Sequence, residues 1–146
     1  MTLINYSGTI LLINNRRGEH TLKKITADTA PKAIGAYSQA IACNGLLYTS
    51  GQIPIDPETG AFNGDNISEQ TEQVIKNIGE ILKAAGATFK SVIKTTCFLA
   101  DMNDFAVFNA IYAKYFVEKP ARSCVAVLDL PKGALVEIEV VALIEK

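Results

Sequence analysis

Arg122 and Cys124 stand two positions apart in the run Pro120-Ala121-Arg122-Ser123-Cys124, and Glu137-Ile138-Glu139 follows after a short interval. Both stretches have strand composition, and alternate residues of a strand share a face, so Arg122 and Cys124 project together. If the two strands pair through the short Pro131-Lys132-Gly133 connection, Glu137 is brought toward the guanidinium. An arginine fork can hold a small carboxylate through two parallel hydrogen bonds, and a nearby carboxylate can activate a water. The same two residue types also make ordinary structural cross-strand pairs, and the constellation alone leaves both roles open.

Other chemistries lack their parts. His20 is the only histidine and lies outside every periodic segment, so a His-built metal site or a Ser-His pair has nothing to build on. The three cysteines, Cys43, Cys97 and Cys124, are odd in number and form no CxxC pair, which argues against a disulfide framework or zinc knuckle and for a reducing, cytoplasmic setting. Any general base must be a carboxylate, a tyrosine, a thiolate, a backbone group or water. A formal charge of −1 gives no global attraction to polyphosphate or anionic lipid, so nucleic acid is disfavoured as a partner. The early apolar run Thr9–Ile13 is too short to span a bilayer.

The elements that must position these residues fit one domain of 146 residues. Residues 1–21 read as an accessory or poorly ordered extension, and 22–146 as the domain. Lys24–Thr26 reads as an edge strand. A hairpin over 38–51 turns at Asn44-Gly45, the dipeptide best suited to positive backbone angles. A helix begins at Asn66 or Ser68, lines up Val74, Ile75, Ile78, Ile81 and Leu82, and stops at Gly86. Gly79 inside it costs roughly 1 kcal/mol against Ala, so a close neighbour is expected there. Ser91–Ala100 reads as a strand, and a second helix after Asp101 or Asn103 carries Phe105, Phe108, Ile111, Tyr112, Tyr115 and Phe116. Strands over 122–128 and 135–144 complete an α+β sandwich, one mixed sheet with two helices on one face. Val136, Ile138, Val140, Ala142 and Ile144 make one apolar face for the helices to cover. The other face is mixed, with Glu137 and Glu139 but also Val141 and Leu143, joined by Tyr48, Ala126 and Leu128. Two helices cannot cover both faces, which predicts an obligate oligomer.

Ala33-Ile34-Gly35-Ala36-Tyr37-Ser38-Gln39-Ala40, Tyr48-Thr49-Ser50-Gly51-Gln52-Ile53-Pro54 and Pro120-Ala121-Arg122-Ser123 occur in one order along the chain. Together they resemble the Rid (reactive-intermediate deaminase, YjgF or RidA-type, endoribonuclease L-PSP-like) family, from about Lys24 to Glu145. The resemblance implies a chorismate-mutase-like sandwich of the bacillus type, assembled as a homotrimer with pockets at the subunit boundaries. It implies hydrolytic deamination of enamine or 2-imino acids, such as 2-iminobutanoate and 2-iminopropanoate, to 2-oxo acids and ammonia, with neither metal nor organic cofactor. Carried over by position, Arg122 would hold the substrate carboxylate and Glu137 would activate water beside the backbone of Cys124. Tyr37 would offer a hydroxyl near the imine nitrogen, Ser50 and Gly51 a hydroxyl and a close backbone, and Asn109 the neighbouring wall. Three departures stand out: the segment between Phe116 and Pro120 is short, Ala36 occupies a position where proline is frequent, and the amino-terminal extension is atypical. The competing expectations are a single-strand RNA endoribonuclease or translation inhibitor, and a noncatalytic ligand-binding regulatory trimer.

Overall fold

The computed structural model describes residues 22–144 and two short strands, β1 (Leu3–Ile4) and β2 (Ile10–Leu11), which pair antiparallel with each other. The rest of the expected 1–21 extension lies outside the described residues. The domain follows as β3 (Lys23–Ile25), β4 (Ala40–Cys43), β5 (Leu46–Thr49), α1 (Ile67–Ala85), β6 (Val92–Leu99), α2 (Phe105–Tyr115), β7 (Ala121–Ala126) and β8 (Val136–Leu143). The last six strands form one mixed sheet in the order β3-β4-β5-β8-β6-β7, in which β6 and β7 are parallel and the other neighbours antiparallel.

Local chemistry explains most of the elements. Asn44 and Gly45 take φ of 53° and 79°, the turn that joins β4 to β5. Asn66 caps α1 by accepting from the Glu69 N–H at 3.1 Å, and Gly86 ends it at φ 74°. The neighbour expected at Gly79 is Phe89: a Cβ at Gly79 would lie 3.2 Å from the Phe89 ring. That ring meets Phe116 edge-on at 5.2 Å, so the missing side chain lets α1 close on the aromatic cluster at the end of α2.

The strand order differs from expectation at one place that matters for function. The Pro131–Gly133 connection does not make a hairpin of β7 and β8. β7 instead lies parallel to β6, because α2 supplies the crossover that parallel neighbours need. The chain then passes back across β6, through a turn with Lys132 and Gly133 at φ 58° and 72°, and β8 enters the sheet between β5 and β6. The central place suits β8, whose Val136, Ile138, Val140 and Ala142 are all buried.

Those four residues face α1 and α2 and meet Leu47, Cys97, Leu99, Val74, Ile78 and Phe108 in the core. The opposite face carries no helix. Tyr48, Val125 and Leu143 are 47%, 46% and 50% exposed there. Leu128 lies fully exposed just past β7, whereas Ala126 pairs with buried Leu99 and so takes the helix side of the register. Among the described residues, no helix is long and apolar enough to cross a membrane.

Buried amides fasten the loop after β5 to α1. Asn77 donates to Ile55 O at 2.9 Å and Ile53 O at 3.3 Å and accepts from Gln73 at 2.8 Å, while Gln73 accepts from Asn63 at 2.8 Å. Replacing Asn77 by Ala leaves Ile53 O with only the Ile55 N–H and Ile55 O with only a long 3.5 Å contact from Gln73, and takes the acceptor from the buried Gln73 amide. Asn77→Ala is expected to destabilise the protein by about 2 kcal/mol, read as a lower urea midpoint at fixed protein concentration; an unchanged midpoint would show the network to be dispensable.

Candidate active site

Arg122 enters from β7, the edge strand, opposite Thr95 of β6. Thr95 is fully buried on the helix side, so the register sends Arg122 toward α2. There Nη1 donates to Asn109 Oδ1 at 2.8 Å, and Cζ lies 4.7 Å from the Tyr112 ring centroid and 5.5 Å from that of Phe105. Tyr112 is itself fixed: its hydroxyl is 2.9 Å from Thr95 Oγ1 and its ring stacks on Phe116 at 4.2 Å. One amide and two aromatic rings thus orient the guanidinium without neutralising it. Asn109, Tyr112, Phe116, Lys119, Pro120 and Arg122, with Ala113 and Val117, line a cleft of about 380 Å³. Its mouth is the short turn after α2, in which the Lys119 N–H donates to Phe116 O at 3.1 Å with Lys119 at φ 53°.

Cys124 sits one pair further along the same face, beside Cys97 of β6. Burial pushes the Cys124 thiol up, with Arg122 pulling it back, and burial pushes Cys97 up to about 12. Both are protonated thiols at neutral pH, poor nucleophiles and small packing groups.

Glu137 takes the other face. It pairs with Phe98, while its chain neighbours Val136 and Ile138 point into the core. The carboxyl is held above its ordinary range, first by burial and then by the charge of Glu139 two residues on. Gly51 lies against it: a Cβ there would fall 1.7 Å from Glu137 Oε1, so any side chain at 51 would push the carboxyl out of this position. A two-way bridge between Gln52 and Ile138, at 2.8 and 3.1 Å, sets this approach. Tyr37 is 49% exposed, shares a small recess with Gly51, and accepts from the Ile34 N–H at 3.3 Å through its hydroxyl. The Ser50 hydroxyl donates to Ser38 O at 2.7 Å, which ties it to the residue next to Tyr37.

The structure therefore gathers Arg122, Asn109 and Cys124 on one side of the sheet, and Tyr37, Ser50, Gly51 and Glu137 in a second group. It does not bring the two groups together within one chain. The expected β7–β8 hairpin would have done so; the inserted β6 and the alternation along β8 prevent it. Two supporting residues escaped the sequence reading. Tyr112 reads as part of an apolar stripe, although its place three residues after Asn109 puts both on one turn of α2. Gln39, inside the first motif, is a buried clamp: it accepts from Ala27 N–H at 2.8 Å and donates to Ala27, Ala30 and Pro31 carbonyls, holding the loop that leads to Tyr37. Among the described residues, no three His, Cys, Asp or Glu side chains cluster as a metal site.

This fold and these motifs define a class. Residues 27–144 match the family described as Endoribonuclease L-PSP, and the chain belongs to that family, the YjgF/Rid family. A Lactococcus lactis relative whose name, AldR, describes a regulator is 57% identical, the match covering 83% of this chain and 97% of that one. The rat 2-iminobutanoate/2-iminopropanoate deaminase is 50% identical over 82% of this chain and 88% of its own. Among solved structures, Escherichia coli TdcF with bound serine superposes with a TM-score of 0.80 at 39% identity, covering 84% of this chain and 99% of that one.

The raised pKa of Glu137 has a definite sign in stability. Its contribution is fully present below the unfolded carboxyl pKa and is lost as pH rises through the folded value. Glu137→Gln cannot ionise, so its thermal midpoint should exceed that of the wild type near neutrality and converge with it at acid pH. Equal midpoints across the range would show that the carboxyl is not disfavoured where it sits.

Proposed function

We propose that this protein hydrolyses the C=N bond of small 2-imino acids, 2-iminobutanoate and 2-iminopropanoate among them, in pockets formed between the subunits of a homotrimer. The observation that carries this reading is Arg122: a guanidinium oriented by Asn109 and Tyr112, at a cleft, with no ion-pair partner among the described residues. A carboxylate ligand supplies the missing charge through a fork that lysine cannot offer. The name of the rat relative and the amino acid bound in TdcF support a small carboxylate-bearing ligand.

The second group completes the reaction if a neighbouring copy presents it. With the carboxylate on Arg122, the imine carbon faces Glu137 of the partner subunit. A carboxylate with a raised pKa is a better proton acceptor near neutrality than an ordinary glutamate. It takes a proton from water as the oxygen adds to the imine carbon, and passes that proton to the nitrogen to give an amino alcohol. The same carboxylate then takes the hydroxyl proton as the carbonyl forms and delivers it to the amino nitrogen, so the C–N bond breaks, ammonia leaves and a 2-oxo acid remains. Tyr37 offers a hydroxyl to the nitrogen, while Ser50 and Gly51 shape the wall. Imines of 2-oxo acids already hydrolyse slowly in water, so orientation and charge stabilisation suffice, with no cofactor required. The uncovered sheet face, with Tyr48, Val125 and Leu143, is the surface on which further copies would pack. The regulator's name of the Lactococcus relative favours one second reading, in which the same cleft binds a 2-oxo acid without turnover.

Coupling to a threonine dehydratase and following loss of the imine tests both readings. The wild type should accelerate the decay, and Arg122→Ala should lower kcat/KM by about 100-fold or more while its mass in solution stays that of a trimer. Full activity in Arg122→Ala would refute the carboxylate assignment, and a wild-type decay at the buffer rate would leave the binding role.

A further inference from the structure

Arg122 is not the only cation at its cleft. Lys119 lines the same cavity from the turn between α2 and β7, and no lining residue is acidic. Glu118, the one acid of that turn, is exposed and is not part of the wall. Neither Lys119 nor Arg122 has a salt-bridge partner among the described residues. Two positive charges in one concave site, its wall otherwise lined by apolar groups such as Phe116 and Pro120, are met in part by a ligand with one charged end and in full by a ligand charged at both.

The backbone fixes where Lys119 can go. The turn is closed by the Lys119 N–H on Phe116 O, and Pro120 follows at once, so the residue is confined to φ 53° between a helix end and a rigid ring. A non-glycine residue there is strained. Strain alone assigns nothing, since Lys132 bears the same conformation at the other end of the sheet. Lys132 also lines a recess with Lys32, but Asp28 and Asp56 share that wall; among these described positions Lys119 alone combines the conformation with a second cation in a cleft that holds no acid.

We propose that Lys119 is a specificity determinant, and that the cleft prefers 2-imino acids with a second carboxylate, the imines of four- and five-carbon 2-oxo dicarboxylic acids. The 1-carboxylate sits on the Arg122 fork, and the distal carboxylate reaches the Lys119 ammonium at the mouth. The assignment rests on the deaminase reading for its reaction, but its binding component does not.

The experiment therefore has two arms. Calorimetry compares 2-oxoglutarate with 2-oxobutanoate on the wild type, Lys119→Gln and Lys119→Arg. In parallel, the imines released by an amino-acid oxidase from glutamate and from 2-aminobutanoate are followed for loss. The wild type should bind the dicarboxylate about tenfold more tightly, as expected for one added charge-assisted contact. Lys119→Gln should abolish most of that preference and Lys119→Arg should keep it, with the ratio of the two kcat/KM values moving in step. Acceleration of both imines without a dicarboxylate preference, or a preference untouched by Lys119→Gln, would overturn this assignment and leave the deaminase reading standing. A preference lost in Lys119→Gln but no acceleration of either imine would uphold the two-cation cleft and remove the deaminase reading instead.

Discussion

Side chains along a strand alternate between faces, and in this sheet the alternation divides the candidate chemistry in two. Thr95 of β6 pairs with Arg122 on one side and with Val140 on the other, and all three project toward the helices. Phe98, in the opposite phase, pairs with Glu137. A one-residue slip of β8 would reverse this, but it would also turn Val136, Ile138, Val140 and Ala142 out of the core, at about 1.5–3 kcal/mol for each large side chain. The core therefore enforces the separation. A guanidinium on the helix side of an edge strand and a carboxylate on the uncovered face can serve one substrate only when a second copy of the chain supplies one of them.

Each half of the proposed site is held in place by contacts of its own. Asn109, Tyr112 and Thr95 form a connected set that fixes the guanidinium, and Tyr112 stacks on Phe116 beneath it. On the other face, the Gln52–Ile138 bridge sets Gly51 hard against Glu137, and the Gln39 clamp anchors the loop ahead of Tyr37. Positioning of this kind is most of what imine hydrolysis asks of a protein, because the uncatalysed reaction already has a modest barrier. The cysteines fit the same economy: with their thiols held protonated by burial, Cys97 and Cys124 pack and do not attack.

The sequence was most legible where the physics is local. The Asn44-Gly45 turn, the Asn66 and Gly86 caps of α1, and the apolar face of β8 follow from residue type and spacing, and all appear as expected. The partner at Gly79 was signalled as a cost without a cause, because Phe89 reaches it only through the tertiary fold. Strand order was the part that spacing misjudged. A short connection with Pro131 and Gly133 looks like a hairpin, yet whether β8 pairs with β7 depends on α2 having already placed β7 beside β6. The individual site residues came from motifs, but their division between faces follows from register, which no single stretch encodes. Lys119 was visible only as a shortened segment; its membership of the Arg122 cleft is a property of the folded turn.

Mixing two inactive variants tests the divided site most directly. Arg122→Ala and Glu137→Gln chains, unfolded together and reassembled, should regain imine hydrolysis at about a quarter of the sites, the random fraction in which an intact arginine meets an intact glutamate from another copy. Neither variant reassembled alone should do so. A mixture no more active than its components would contradict the account, since it would place Arg122 and Glu137 of the same chain in each working site.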